Sequence, residues 1–221
     1  MLLLFHQTLR IMCKGLNEEI RREAREFLKD NWVNLGLVWL ILAAIQSLAA
    51  GIGGIGALII GGPLALGITR IFLKLWHRQD FQIEEMFHGF NDFTRSLVAY
   101  LLIGLYVILW SLLLIVPGII AALSYSMTFF IMAEDPKIKA QAALRKSKEM
   151  MEGHKSEYFS LLFSFIGWFL LACLTWGLGF LLLSSYTTMA STIFYQRLKG
   201  QVQQAAYSQP EVPAASPPEP M

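Results

Sequence analysis

Three long stretches of this 221-residue chain, Asn31 to Thr69, Ser96 to Ala133 and Tyr158 to Gln196, contain no Asp, Glu, Lys, Arg or His. A helix in water keeps a polar face, so the lack of charge excludes an ordinary water-soluble bundle. It also argues against ion-coupled transport and buried acid/base chemistry, which use carboxylates or cations inside the span. Cysteine is scarce, with only Cys13 and Cys173, and neither has a His or Cys at metal-ligand spacing. Zinc, haem and redox motifs are therefore missing, and no cofactor is expected. No HExxH, no phosphate loop and no spaced nucleophile occur, so the chain reads as a non-enzyme. The net charge is only +2, which argues against nucleic acid as a partner and against strong polybasic lipid targeting.

What remains is apolar, with 55% hydrophobic residues. The charge-free blocks run 39, 38 and 39 residues, and one crossing needs roughly 20. Each block thus predicts a helical hairpin, and the fold class is an all-α integral membrane protein with six transmembrane helices as three hairpins. Breakers near the block centres place the turns at Gly51-Ile52-Gly53-Gly54, Pro117-Gly118 and Thr175-Trp176-Gly177-Leu178-Gly179. The spans then fall at about 33–50, 55–76, 96–116, 119–133, 158–175 and 178–197.

Lys and Arg set the orientation. Six precede Asn31, four lie between Arg70 and Arg95, six between Glu134 and Glu157, and two follow Gln196. The positive-inside rule puts both termini and both long loops on the cytoplasmic side. Arg70 and Lys74, near the end of the second span, can snorkel to headgroups. Trp32, Trp76 and Trp176 suit the aromatic belts, and Trp39, Trp110 and Trp168 sit deeper. The bilayer would separate Cys13 from Cys173, which is expected to be buried filler.

Residues 1–30 form a cytoplasmic amphipathic segment, 31–199 the membrane domain and 200–221 a Pro-rich disordered tail holding five of the eight prolines. The first residues lack the basic start of a signal peptide and are expected to be retained. Three amphipathic surface helices are predicted. Asn17 caps one that puts Ile20, Ala24, Phe27 and Leu28 on one face. Asp80 caps another that places Phe81, Met86, Phe87 and Phe90 toward lipid or the bundle, leaving Glu84 and Glu85 to water. Asp135-Pro136 starts a third with Ala140, Ala143, Leu144, Ser147 and Met151 on its buried face, ended by Gly153. Surface helix plus hairpin thus recurs three times, as parallel repeats would.

Two features inside the blocks are candidates for function. Gly62, Pro63 and Gly67 mark a smooth, proline-bearing helix, suited to close packing or to a mid-membrane break that frees carbonyls for a ligand. Hydroxyls at Ser124, Tyr125, Ser126 and Thr128, and at Ser185, Thr188 and Thr192, suit interhelical hydrogen bonds or the lining of a polar cavity. Gln46, the amide deep in a span, reads as helix glue. Arg145, Lys146 and Lys148 are candidate headgroup contacts. His88 with Asp92 and His154 with Glu157 are the pairs a surface hydrolase would use.

Pro117 to Met127, Ala133-Glu134-Asp135-Pro136, Arg145 to Lys155, Phe165-Ile166-Gly167-Trp168, Gly62 to Gly67 and Ala24 to Lys29 together resemble domain of unknown function 975. The resemblance covers roughly residues 20–200. It implies a bacterial cytoplasmic-membrane protein with this multi-helix layout, and it brings no catalytic residues. Two functions fit. The first is a non-enzymatic platform that binds membrane lipids, an amphiphilic peptide or a membrane-protein partner. The alternative is a transporter or permease for an apolar or weakly polar solute.

Overall fold

The computed structural model describes residues 2–29, 31–51, 55–174 and 178–208. Of the expected turns at Gly51 to Gly54 and Thr175 to Gly179, residues 52–54 and 175–177 lie outside the described residues, as do the belt position of Trp176 and the proline-rich segment past Ser208, while Gly51 ends a helix and Leu178 and Gly179 begin one. Every regular element within them is a helix, in keeping with long runs of Leu, Ile and Ala and few turn residues. They are α1 (Leu2–Leu28), α2 (Trp32–Gly51), α3 (Ile55–Trp76), a 3₁₀ helix (Ile83–Asp92), α4 (Phe93–Leu113), α5 (Ile115–Tyr125), α6 (Thr128–Glu134), α7 (Ala140–Met150), α8 (Lys155–Phe163), α9 (Ile166–Leu174) and α10 (Leu178–Ser208). Four stretches, Trp32–Ala49, Gly56–Trp76, Ile83–Leu113 and Ile115–Glu134, are long and apolar enough to cross a membrane, which suggests membrane association.

Several boundaries differ from those read in the sequence, each for a local reason. Asn17 is no cap. It lies inside α1, where its side chain reaches another helix and its Nδ2 donates to Ser160 Oγ at 3.0 Å. Asp80 lies outside the 3₁₀ helix, whose cap is Gln82, and Glu85 pairs with Lys74 at 2.8 Å rather than facing water. Met86 is buried while Phe87 and Phe90 are exposed.

The Asp135-Pro136 signal starts no helix. Asp135 Oδ1 accepts from the Lys137 backbone N–H at 2.9 Å, forming a turn, and α7 begins at Ala140. Its expected face, Ala140, Ala143, Leu144, Ser147 and Met151, is buried. Gly153 follows with φ +85, the left-handed conformation that favours glycine.

The second reversal occurs at Leu114, extended at φ −165 and ψ 144, three residues before Pro117. Pro117 then falls in the first turn of α5, where its missing N–H leaves no bond unmade. Gly118 abuts Ser111, and Tyr106 stacks on Tyr125 at 5.6 Å, so α5 runs back along α4.

The predicted 119–133 helix breaks at Ser126-Met127, and the predicted 158–175 helix breaks at Ser164-Phe165. At these breaks Ser126 Oγ donates to the Leu123 carbonyl at 2.8 Å and Ser164 Oγ to that of Leu161 at 2.7 Å, local bonds that compete with helix continuation. α10 continues eleven residues past the expected 197, as far as Ser208.

α3 is unbroken through Pro63, so of the two readings of this segment the mid-membrane break is not the one seen. Its glycines serve close packing instead. A Cβ on Gly62 would come 2.6 Å from the Ser96 carbonyl, one on Gly67 would overlap the Met86 carbonyl, and one on Gly89 the Pro63 carbonyl. The core gathers around α3, with Leu64, Leu66, Ile71 and Phe72 buried among Met86, Met127, Met132, Met189 and Ile193. By contrast Leu112 is 84% exposed and Val33 76%.

Candidate functional site

Helical periodicity builds a cavity of about 440 Å³ beside α3. Trp39, Leu42 and Gln46 on α2 follow a three-then-four spacing, as do Gly61, Leu64, Ala65 and Ile68 on α3, so each set lies on one face. Thr187, Thr188 and Ser191 of α10 line it too, with Tyr100, Ser126, Phe129 and Tyr158. Gly61 makes room for the Tyr100 ring, which lies 3.0 Å from where a Cβ would sit. Among the described residues no charged side chain lines the cavity.

The hydrogen bonds determine what the wall offers. Thr187 Oγ1 donates to the Leu183 carbonyl at 2.9 Å and Ser191 Oγ to that of Thr187 at 2.9 Å. Their protons are committed, and each oxygen is left as an acceptor. Because the Ser191 proton is used, Tyr158 donates across the 3.1 Å gap to Ser191 Oγ, linking α8 to α10. On α2, Trp39 lines the cavity, but its Nε1 is fully buried and has no hydrogen-bond partner among the described residues. Gln46 makes no side-chain hydrogen bond among the described residues, so it is not helix glue; it faces the cavity. Acceptor hydroxyl oxygens and the Gln46 amide in an otherwise apolar, uncharged lining suit a neutral molecule bearing an amide or hydroxyl.

Ser126 and Thr188, of the residues singled out in the sequence, line this cavity. Gly62, Pro63 and Gly67 pack on Ser96, Gly89 and Met86, away from it. Ser124, Thr128, Ser185 and Thr192 are buried and donate to the carbonyls of Ile120, Tyr125, Leu181 and Thr188 in their own or the preceding helix. The hydroxyls thus mostly satisfy their own backbone rather than bridge helices. Beside the Tyr158–Ser191 and Asn17–Ser160 bonds a further bridge forms: Ser147 Oγ of α7 donates to the Ser124 carbonyl at 2.8 Å, a group left open by the end of α5. Arg145, Lys146 and Lys148 lie on the exposed side of α7, with Arg145 4.0 Å from Glu149. Cys173 is exposed rather than buried filler, because α9 turns Phe169 and Ala172 toward α10.

Charged groups collect where α3 and α6 end and α4 begins. Asp92 accepts from Arg70 at 2.6 Å and Arg95 at 3.2 Å. Arg95 also donates to the carbonyls of Met132, Asp135 and Ile138, at 3.2, 2.9 and 3.2 Å, capping α6. The Asp92 carboxylate is therefore held by two arginines, whereas Glu157 lies 3.3 Å from His154 Nδ1. Glu134 accepts from Tyr195, Gln196 and Lys199. Arg197 binds Glu19 and Glu23 of α1 at 3.2 and 2.7 Å, and its guanidinium holds the Glu19 carboxyl below the usual range.

Tyr100, Tyr158, Trp39 and the α2 face were not singled out as site residues from the sequence. Gln46 was the available signal, because a lone amide among apolar residues needs either a partner or a ligand.

A family model described as a protein of unknown function, DUF975, matches residues 12–124 and 111–202. No curated protein and no solved structure matches the chain.

Proposed function

The chain belongs to the DUF975 family of proteins of unknown function, and we propose that it is a six-span membrane protein that binds a neutral, weakly polar amphiphile in the cavity beside α3, without bond-making chemistry. The observation that carries this reading is an uncharged, largely aromatic and aliphatic lining in which the Gln46 amide makes no side-chain hydrogen bond among the described residues and the Thr187 and Ser191 hydroxyl oxygens are left as acceptors. An amphiphile supplies a hydrogen-bond partner for Gln46 and apolar bulk for the aromatic lining.

Six crossings follow from the four apolar stretches plus α8–α9 and α10. Its hydroxyls make α10 less apolar, but those of Ser184, Ser185, Thr187, Ser191 and Thr192 donate to carbonyls of the same helix and so need no water. Bare leucines such as Leu112 and Leu113, 84% and 69% exposed, are at home in lipid. The Lys/Arg distribution supports a cytoplasmic position for both termini, in a bacterial cytoplasmic membrane.

Purification in native lipid, with mass spectrometry of bound molecules, tests the reading. Wild type retains a specific amphiphile that Ala65→Trp, which fills the cavity, loses. Identical profiles from the two proteins would refute cavity binding. The hydroxyl wall of Ser126, Thr187, Thr188 and Ser191 also supports a second reading, a permease for a weakly polar solute. Flux of the retained molecule across proteoliposomes, abolished by Ala65→Trp, would select that reading over simple binding.

A further inference from the structure

On the other side of α10, away from the cavity, a second concavity of about 370 Å³ runs between α9, α10 and the start of α2. Trp32, Trp168, Leu182 and Leu183 dominate its lining, and Arg25 and Tyr186 stand at one end. From Tyr186 to Gly179 the groove follows seven residues of α10, about 10 Å. Trp168 and Leu182 are 52% and 51% exposed, so the groove opens outward.

One end of the groove is charged. Arg21 and Arg25 are four residues apart on α1, hence on one face, and the Tyr186 hydroxyl donates to the Arg21 carbonyl at 3.0 Å, fixing that face over the groove. The neighbouring acids Glu19 and Glu23 are occupied by Arg197, and Glu18 and Glu26 are exposed. Neither Arg21 nor Arg25 has an ion-pair partner among the described residues. Two free guanidiniums above an apolar slot present the complement of a phosphate on an acyl chain.

We propose that this groove holds one anionic phospholipid of the surrounding bilayer, its acyl chain between Trp32, Trp168 and Leu182 and its phosphate on Arg21 and Arg25. The inference rests on the membrane reading above but not on the cavity. The lipid would dock α1 onto the ends of α2 and α10, giving α1 a headgroup-dependent position.

The test uses the full chain in phosphatidylcholine nanodiscs containing a small fraction of brominated-acyl phosphatidylglycerol or, in parallel, brominated-acyl phosphatidylcholine. Tryptophan quenching is read against mole fraction, and Trp168→Phe identifies the component from the groove. Each cation near the lipid phosphate adds about fivefold, so wild type prefers phosphatidylglycerol by an order of tenfold or more. Arg21→Gln with Arg25→Gln abolishes the preference, and Arg25→Lys keeps most of it. Should the double variant fail to fold, Arg25→Gln alone, at an exposed position, lowers the preference about fivefold. Equal quenching by both lipids in wild type, or an undiminished preference in the Gln variants, would overturn the site while leaving the membrane reading intact. Quenching by neither lipid would overturn both.

Discussion

Gly67 of α3 meets the backbone carbonyl of Met86 so closely that a single methyl group would overlap it. The 3₁₀ helix is thereby locked to α3 through backbone rather than side chains, and Gly89 repeats the arrangement against Pro63. Backbone cannot move aside as a side-chain tip can. Gly67→Ala is expected to destabilise by about 2–3 kcal/mol, near the upper range for overpacking. Gly104, with nothing within 4 Å of its added Cβ, is the control, and Gly104→Ala leaves the thermal midpoint in detergent unchanged or slightly raised.

Arg95 joins Asp92 to the end of α6 with a fork of donors that an ammonium cannot reproduce. Arg95→Met leaves the carbonyls of Met132 and Asp135 without this donor and costs about 2–3 kcal/mol. Arg95→Lys recovers part of that loss. Chemical denaturation in micelles, monitored by near-ultraviolet dichroism, measures both.

The clasp between α1 and α10 is pH-dependent. Hydrogen bonding and charge from Arg197 lower the Glu19 pKa in the folded protein below its model-peptide value of 4.5. A depressed carboxyl contributes stability that is complete above 4.5 and is lost as pH falls through the lowered folded value. Melting temperature should therefore be flat toward neutrality in this respect and fall below pH 4.5. Arg197→Gln removes the part of the acid-side slope that comes from Glu19. The contribution of so exposed a carboxylate is small, so the comparison requires low ionic strength.

The cavity linkage between α8 and α10 is separable by a double-mutant cycle. Tyr158→Phe and Ser191→Ala each remove the same 3.1 Å hydrogen bond, so their effects on stability should be sub-additive, with a coupling of about 0.5–1.5 kcal/mol. Additive losses would mean that the bond contributes nothing.

Topology is tested at Leu114, the extended residue between α4 and α5, which is 64% exposed. In a Cys13→Ala, Cys173→Ala background, Leu114→Cys reacts with a membrane-impermeant maleimide from outside intact cells, and Lys146→Cys reacts only after permeabilisation. Gly118 is unsuitable for this purpose, since a side chain there would collide with Ser111.

Much of the local design was legible because it depends on chain-local physics. The apolar blocks predicted helices, and the burial periods of Ile20, Ala24 and Leu28 and of Ala140, Ala143 and Leu144 held. Capping signals were less reliable. Asn17 and Asp80 have cap chemistry, yet Asn17 found a partner 143 residues away and Asp80 lies before the true start at Ile83. Cap preferences are small enough to be overruled by a single tertiary contact.

The candidate site was only half visible. Hydroxyls were conspicuous in the sequence, but whether Ser126 and Thr188 face a cavity while Thr128 and Thr192 face their own backbone depends on the rotation of each helix. Gln46 likewise became a cavity residue through the register of α2 against α3.

By itself the sequence determined the helical class, because runs without charge or turn residues close their backbone hydrogen bonds locally. It also confined the formal charges to the stretches between and beyond those runs. Tertiary structure alone decided that α3 stays whole through Pro63, that Arg95 seals α6, and that Trp39 is left with an unmet donor beside a cavity. Those outcomes depend on which faces meet across distant segments, and spacing along one helix carries no information about the helix opposite.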